Sequence, residues 1–180
     1  MKRTSWVLLC SFALSSFLSV CGTASAATHQ EEMQAANNTV NTFKRKDPGI
    51  KSFFDRSYGY AVFPTVGKAG IGIGGAFGKG TVFRSGKYIG DAKLSQLSIG
   101  FQFGGQAYSE IIFFQTKSSF EKFTNNNLQV SAQVSAVAIK EGAAATATFK
   151  QGIAIFTMAK GGLMYEATVA GQAFEFTAKP

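Results

Sequence analysis

Tyr58-Gly59-Tyr60-Ala61-Val62-Phe63-Pro64-Thr65-Val66-Gly67-Lys68-Ala69-Gly70-Ile71-Gly72-Ile73-Gly74-Gly75-Ala76-Phe77-Gly78-Lys79-Gly80 alternates glycine with apolar residues and lysines. Glycine at that density opposes helix formation, whereas a period of two suits strands whose glycines let the chain bend or let another backbone approach. The stretch satisfies G-x-G-x-x-G at Gly70-Ile71-Gly72-Ile73-Gly74-Gly75. A dinucleotide loop must turn from a strand into a helix that holds the pyrophosphate, and here more glycine and more alternation follow. The run is read as bent strands and turns.

Strands continue downstream. Arg84-Ser85-Gly86-Lys87 reads as a tight turn, and Leu94 to Phe103 with Ala107 to Phe114 reads as a hairpin through Gly104-Gly105. Leu128, Val130, Ala132, Val134 and Ala136 alternate with polar residues as a strand buried on one face. Gly142 to Thr148 reads as a loop, and three short strands follow at Ile153 to Ala159, Leu163 to Val169 and Gln172 to Thr177. A helix interrupts at Ser118 to Thr124, with Ser118 and Glu121 at capping-box spacing.

Ahead of the strands, Thr28 and Glu31 repeat that spacing, and Met33, Ala36, Val40 and Phe43 share one helical stripe. Asp47-Pro48 ends this helix and opens a second one carrying Ile50, Phe53 and Phe54. The fold class is α+β: a mainly antiparallel, strongly curved β-sheet or partial barrel with two short N-terminal helices and one inserted helix. Ala61-Val62-Phe63 with Lys68 echoes Ala154-Ile155-Phe156 with Lys160. A true repeat would place the two lysines at equivalent rims of the sheet.

The first 26 residues read as a secretory signal: Lys2 and Arg3, an apolar run from Trp6 to Val20, then Ala24-Ser25-Ala26. Leu18-Ser19-Val20-Cys21 also resembles a lipobox, which makes Cys21 a lipidation candidate and cleavage after Ala26 its alternative. The organisation is then signal peptide 1–26, helical segment 27–56 and β-rich domain 57–180, with an exported, periplasmic or envelope-associated product. Both cysteines precede Ala27, so the chain cleaved after Ala26 holds no thiol in an oxidising compartment.

Of the 18 basic residues, 16 lie beyond Arg3, against 10 acidic ones, a net charge of +6. That surplus favours anionic partners, and export removes nucleic acid from the set. The single histidine, His29, lies beside the cleavage position, so serine, cysteine and zinc hydrolase constellations cannot be assembled. Asp91, Glu110 and Glu166 are read as surface carboxylates, and neither enzyme activity, metal nor cofactor is expected. Lys68, Lys79, Arg84, Lys87, Lys93 and Lys160 fall in or beside glycine turns, where backbone N–H groups can face anions. Lys44, Arg45 and Lys46 end the first helix, either meeting its dipole or resting on a membrane.

Five ordered motifs resemble the SYLF family: Tyr58 to Pro64, Gly74 to Gly80, Gly100 to Gln106, Glu110 to Phe114 and Gly161 to Glu166. The resemblance implies a non-enzymatic module that binds phosphoinositides and other anionic phospholipids, as eukaryotic members do, some of which also bundle actin. Export sets actin aside and makes an anionic envelope lipid the equivalent ligand. A protein partner in the envelope is the alternative function. A small outer-membrane barrel is disfavoured by the helices and the uneven strand spacing.

Overall fold

The computed structural model describes residues 21–100, 106–131, 133–161 and 169–179, and gives only the backbone for 21–27, 69–73 and 98–100. Helix α1 (Cys21–Lys46) leads through a 3-10 turn (Pro48–Ile50) into helix α2 (Lys51–Arg56). Strands β1 (Gly59–Arg84), β2 (Lys87–Gly100) and β3 (Gln106–Phe114) follow, then helix α3 (Lys117–Thr124). Strand β4 (Ala136–Ala138), helix α4 (Ala143–Thr146), strand β5 (Ile153–Lys160) and strand β6 (Gln172–Ala178) complete the chain. The sheet order is β4-β5-β3-β1-β2-β6, antiparallel except for β4 against β5.

The glycine-rich run forms β1, which doubles back on itself. Ser85 N–H donates to Tyr58 O at 3.4 Å, and a Cβ at Gly80 would lie 2.7 Å from Val62 O. One arm, residues 59–68, pairs with β3, and the other, residues 72–84, pairs with β2. Counted by arms, the mixed sheet has seven strands. A bulge at Pro64 and Thr65 interrupts the first arm, and Ser109 Oγ donates to the Pro64 carbonyl at 2.8 Å.

Glycines in both arms make room for aromatic rings from neighbouring segments. A methyl group on Gly80 would come within 2.6 Å of the Phe63 ring, and one on Gly59 within 2.5 Å of the Phe120 ring. The rings replace missing side chains as packing material, which is how a glycine-rich strand can still bury apolar area.

Both faces of the sheet are covered. Ala61, Phe63, Ile112, Phe114 and Ile155 face one core with α3, Leu128, Val130 and Phe174. Val62, Ile111, Phe113 and Phe156 face the other, beneath Ala36 and Phe43 of α1 and Phe53 of α2. Adjacent residues of β3 therefore point into different cores, which explains the continuous apolar run of that strand.

The α+β class and the mainly antiparallel pairing hold, but the sheet is open, with β4 and β6 at its edges. A barrel offers one interior, whereas two-sided strands need a cover on each side. The first N-terminal helix is 26 residues long rather than short, because an alanine-rich segment without glycine or proline beyond Gly22 carries it past Thr28. Thr28 therefore lies inside the helix rather than at its first turn. Its stripe of Met33, Ala36, Val40 and Phe43 packs as expected. Asp47 does cap the 3-10 turn through Gly49 N–H, and its second oxygen accepts Ala144 N–H at 2.6 Å, tying this joint to α4.

Strands β2 and β3 do not form a hairpin with each other; the two arms of β1 lie between them. Residues 101–105, including the expected turn, fall outside the described residues. Helix α3 is capped by Thr116 and Ser119 rather than by Ser118 and Glu121. Leu128, Val130 and Val134 are buried and Gln129 and Gln133 exposed, yet among the described residues 128–134 meet the sheet through an isolated bridge of Gln129 to Ala173, with Val130 bonded to Gly171 and Gln172, and only Ala136 enters a ladder, as the first residue of β4. Val134 N–H turns back to Ser131 O, so alternation here describes an extended cover rather than a ladder strand. The small-residue tract contains α4, and Leu163 to Thr168 lies outside the described residues.

Adding a methyl group tests the ring-over-glycine packing. Gly80→Ala should cost roughly 1–3 kcal/mol in urea unfolding, the usual range for overpacking. Gly67→Ala, where a Cβ meets nothing within 4 Å, should change stability by less than about 0.5 kcal/mol.

Candidate functional site

The helix layer covers β5, β3 and the first arm of β1 but leaves part of the same face bare over the second arm, β2 and β6. Strand alternation presents Phe77, Lys79 and Thr81 beside Ser95, Lys93 and Asp91 there, with Glu175 and Thr177 on β6. Phe77 is 70% exposed and Leu97 73% exposed, the large apolar side chains left in water among the described residues. A groove of about 840 Å³ runs along this face, walled by Phe77, Lys79, Lys93 and Glu175 and closed on one side by Glu32 and Ala35 of α1.

Three of the six basic turn residues gather here. Lys79 is exposed in the groove wall, and Lys93 makes an exposed ion pair with Glu175 at 3.6 Å. Lys160 donates to Thr65 Oγ1 at 2.6 Å, and Thr65 lines the groove. Lys68 is on the other face, 8% exposed, and its desolvation lowers the ammonium pKa. Lys68 and Lys160 do share a rim, opposite Gln106 and Ala107 of β3, but the echoing segments address opposite faces: Val62 and Phe156 occupy one core, Phe63 and Ile155 the other. Arg84 and Lys87 sit at the far end, flanking the turn at Ser85 and Gly86. Lys44 lies 4.5 Å over the Phe54 ring, Arg45 donates to Thr42 Oγ1, and Lys46 is exposed. Cys21 begins α1.

Residues 95–179 match the family model described as Ysc84, Las17-binding protein actin regulator. Residues 95–179 belong to a SYLF domain. The motifs at Gly100 to Gln106, Glu110 to Phe114 and Gly161 to Glu166 fall within the matched span. The chain is also 29% identical over 160 residues to the Beta cell expansion factor A of Aeromonas veronii, covering 82% of this chain and 58% of that protein. It thus spans little more than half the length of that relative.

Inside the SYLF domain, one carboxylate is not at the surface. Glu110 is fully buried in the α3-side core, opposite Thr157 on β5, and Gln172 Nε2 donates to its Oε2 at 3.0 Å. Gln172 Nε2 also lies 3.4 Å from the Tyr108 hydroxyl. Glu110 Oε1, Thr157 Oγ1 and Gln172 Oε1 are buried without a hydrogen-bond partner. Burial pushes the Glu110 carboxyl up to about 8, against a smaller lowering by Gln172, and burial with the Glu110 charge also raises Tyr108. The neighbours Ile111-Ile112-Phe113-Phe114 are the sequence signal for this: a carboxylate leading into a strand buried on both faces. Asp91, by contrast, is partly exposed and accepts from Tyr88 Oη at 2.9 Å, while Glu166 is outside the described residues.

The folded chain holds the Glu110 proton until about pH 8, whereas the unfolded carboxyl releases it near 4.5. Between these values the folded state binds more protons, so stability falls as pH rises through the window and levels off above it. The loss should be on the order of several kcal/mol. Urea unfolding at pH 5 and pH 8 should show this decline in the parent, and Glu110→Gln should flatten it.

Proposed function

We propose that this SYLF-domain protein is a non-enzymatic binder of anionic phospholipid surfaces, acting in the cell envelope after export through residues 1–26. The observation that carries this reading is that Phe77 on the second arm of β1 and Leu97 on the adjacent strand β2 are both largely exposed on one sheet face, with Lys79, Lys93 and Lys160 on that face. Exposed apolar residues rimmed by lysines suit an interface whose outer layer is anionic and whose interior is hydrocarbon. Phosphatidylglycerol, cardiolipin or a phosphoinositide-like head group supplies that chemistry. The matched family is described as a Las17-binding actin regulator. In an exported chain the lipid-facing property is the one with a partner to meet.

Magnitudes favour reversible attachment. Each lysine near an anionic surface contributes about 1 kcal/mol, and partial burial of a Phe and a Leu adds a few more. The sum corresponds to an affinity on the order of tens of micromolar. Such binding must weaken with salt.

Cosedimentation with vesicles tests the reading. Binding should rise with the fraction of phosphatidylglycerol and fall with added salt, and both Phe77→Ser/Leu97→Ser and Lys79→Glu/Lys160→Glu should weaken it at least tenfold while leaving thermal unfolding unchanged. Equal binding to neutral and anionic vesicles would refute it. So would indifference to lipid with capture of an envelope protein, which would favour the interaction-protein reading.

A further inference from the structure

His29 and Glu32 are three residues apart on α1 and so share one helix face. Asp91, on β2, meets them across the layer: one imidazole nitrogen and one oxygen from each carboxylate lie within 4.8 Å of one another. The three groups come from two elements that are far apart in sequence. Tyr88 holds the arrangement, since its hydroxyl donates to Asp91 Oδ2 at 2.9 Å and its ring lies 4.6 Å from the His29 ring.

The electrostatics of this corner call for a cation. Among the described residues the ion pairs are Lys93 with Glu175 and Lys117 with Glu121, and neither includes Glu32 or Asp91. Two carboxylates are thus brought together beside an imidazole in a half-buried position, outside both of those ion pairs, and the ammonium recorded nearby, Lys179 Nζ, lies over the Tyr88 ring at 5.8 Å. Glu32 and Asp91 also line the groove, whose open space leaves room for the solvent part of a coordination sphere.

We propose that His29, Glu32 and Asp91 bind one divalent cation of the zinc class, which fastens α1 to β2. An imidazole with two carboxylates is a nitrogen and oxygen donor set that suits such ions, and a hydrogen bond from Tyr88 to a ligating carboxylate is the outer-shell support such sites use. The metal neutralises the acidic end of the groove and cross-links helix to sheet. It requires no lipid, and lipid binding requires no metal.

Calorimetric titration of zinc chloride into the untagged full chain, in a buffer that does not chelate, tests this. The expected result is one saturable site per chain, weakened at least tenfold by each of His29→Ala, Glu32→Gln and Asp91→Asn and less by Tyr88→Phe. Zinc should raise the melting temperature of the parent and not of the Asp91→Asn chain. These positions are partly exposed, so the metal-free variants should melt with the parent, and Glu32→Gln on the helix surface is the safeguard if another does not. Absence of saturable binding would overturn the proposal. Binding that survives Asp91→Asn and Glu32→Gln would overturn it too.

Discussion

Phe63 lying across Gly80, and Phe120 across Gly59, is the packing on which the sheet depends. A strand as rich in glycine as β1 has little side-chain area of its own, so its contribution to the core must come from rings on neighbouring segments. Those rings fit only because no Cβ stands in their way. The same absence of side chains lets the two arms of β1 lie side by side in the middle of the sheet, and each arm then offers a free edge to β3 or β2. Glycine content, the doubled strand and the strand order are consequences of one steric condition.

The doubled strand also creates the asymmetry from which function is argued. Its first arm, with β3 and β5, is buried on both faces and needs the helix layer above it. Its second arm, with β2 and β6, extends beyond that layer and leaves Phe77 and Leu97 in water beside lysines. The buried part carries its own polar group, Glu110, held neutral by the surrounding core and bonded to Gln172. A two-cored half thus supports an exposed half that can meet a partner.

Much of this was legible in the chain. Period-two alternation located β1, β2, β5 and β6, the Asp47-Pro48 pair marked the joint between the helices, and ordered motifs pointed to the SYLF domain. Strand partners were not legible, because alternation says which face a residue occupies and not which strand lies beside it. That is why Leu128 to Val134 could be extended and half-buried without joining the ladder. Proximity to turns identified lysines but could not sort them by face. The structure brings Lys79, Lys93 and Lys160 together, sends Lys68 to the opposite face and leaves Arg84 and Lys87 at the far end. His29 lay beyond reach for a related reason: its companion Asp91 comes from another layer.

The central claim is that the bare face over the second arm of β1 is the surface that meets a bilayer. A tryptophan at that place reports it directly: Phe77→Trp in a Trp6→Phe background, mixed with anionic vesicles whose acyl chains carry bromine. Strong quenching at position 77, with none for Lys87→Trp in the same background, is the predicted result. Equal quenching at both positions, or none at position 77 while the protein is vesicle-bound, would contradict it.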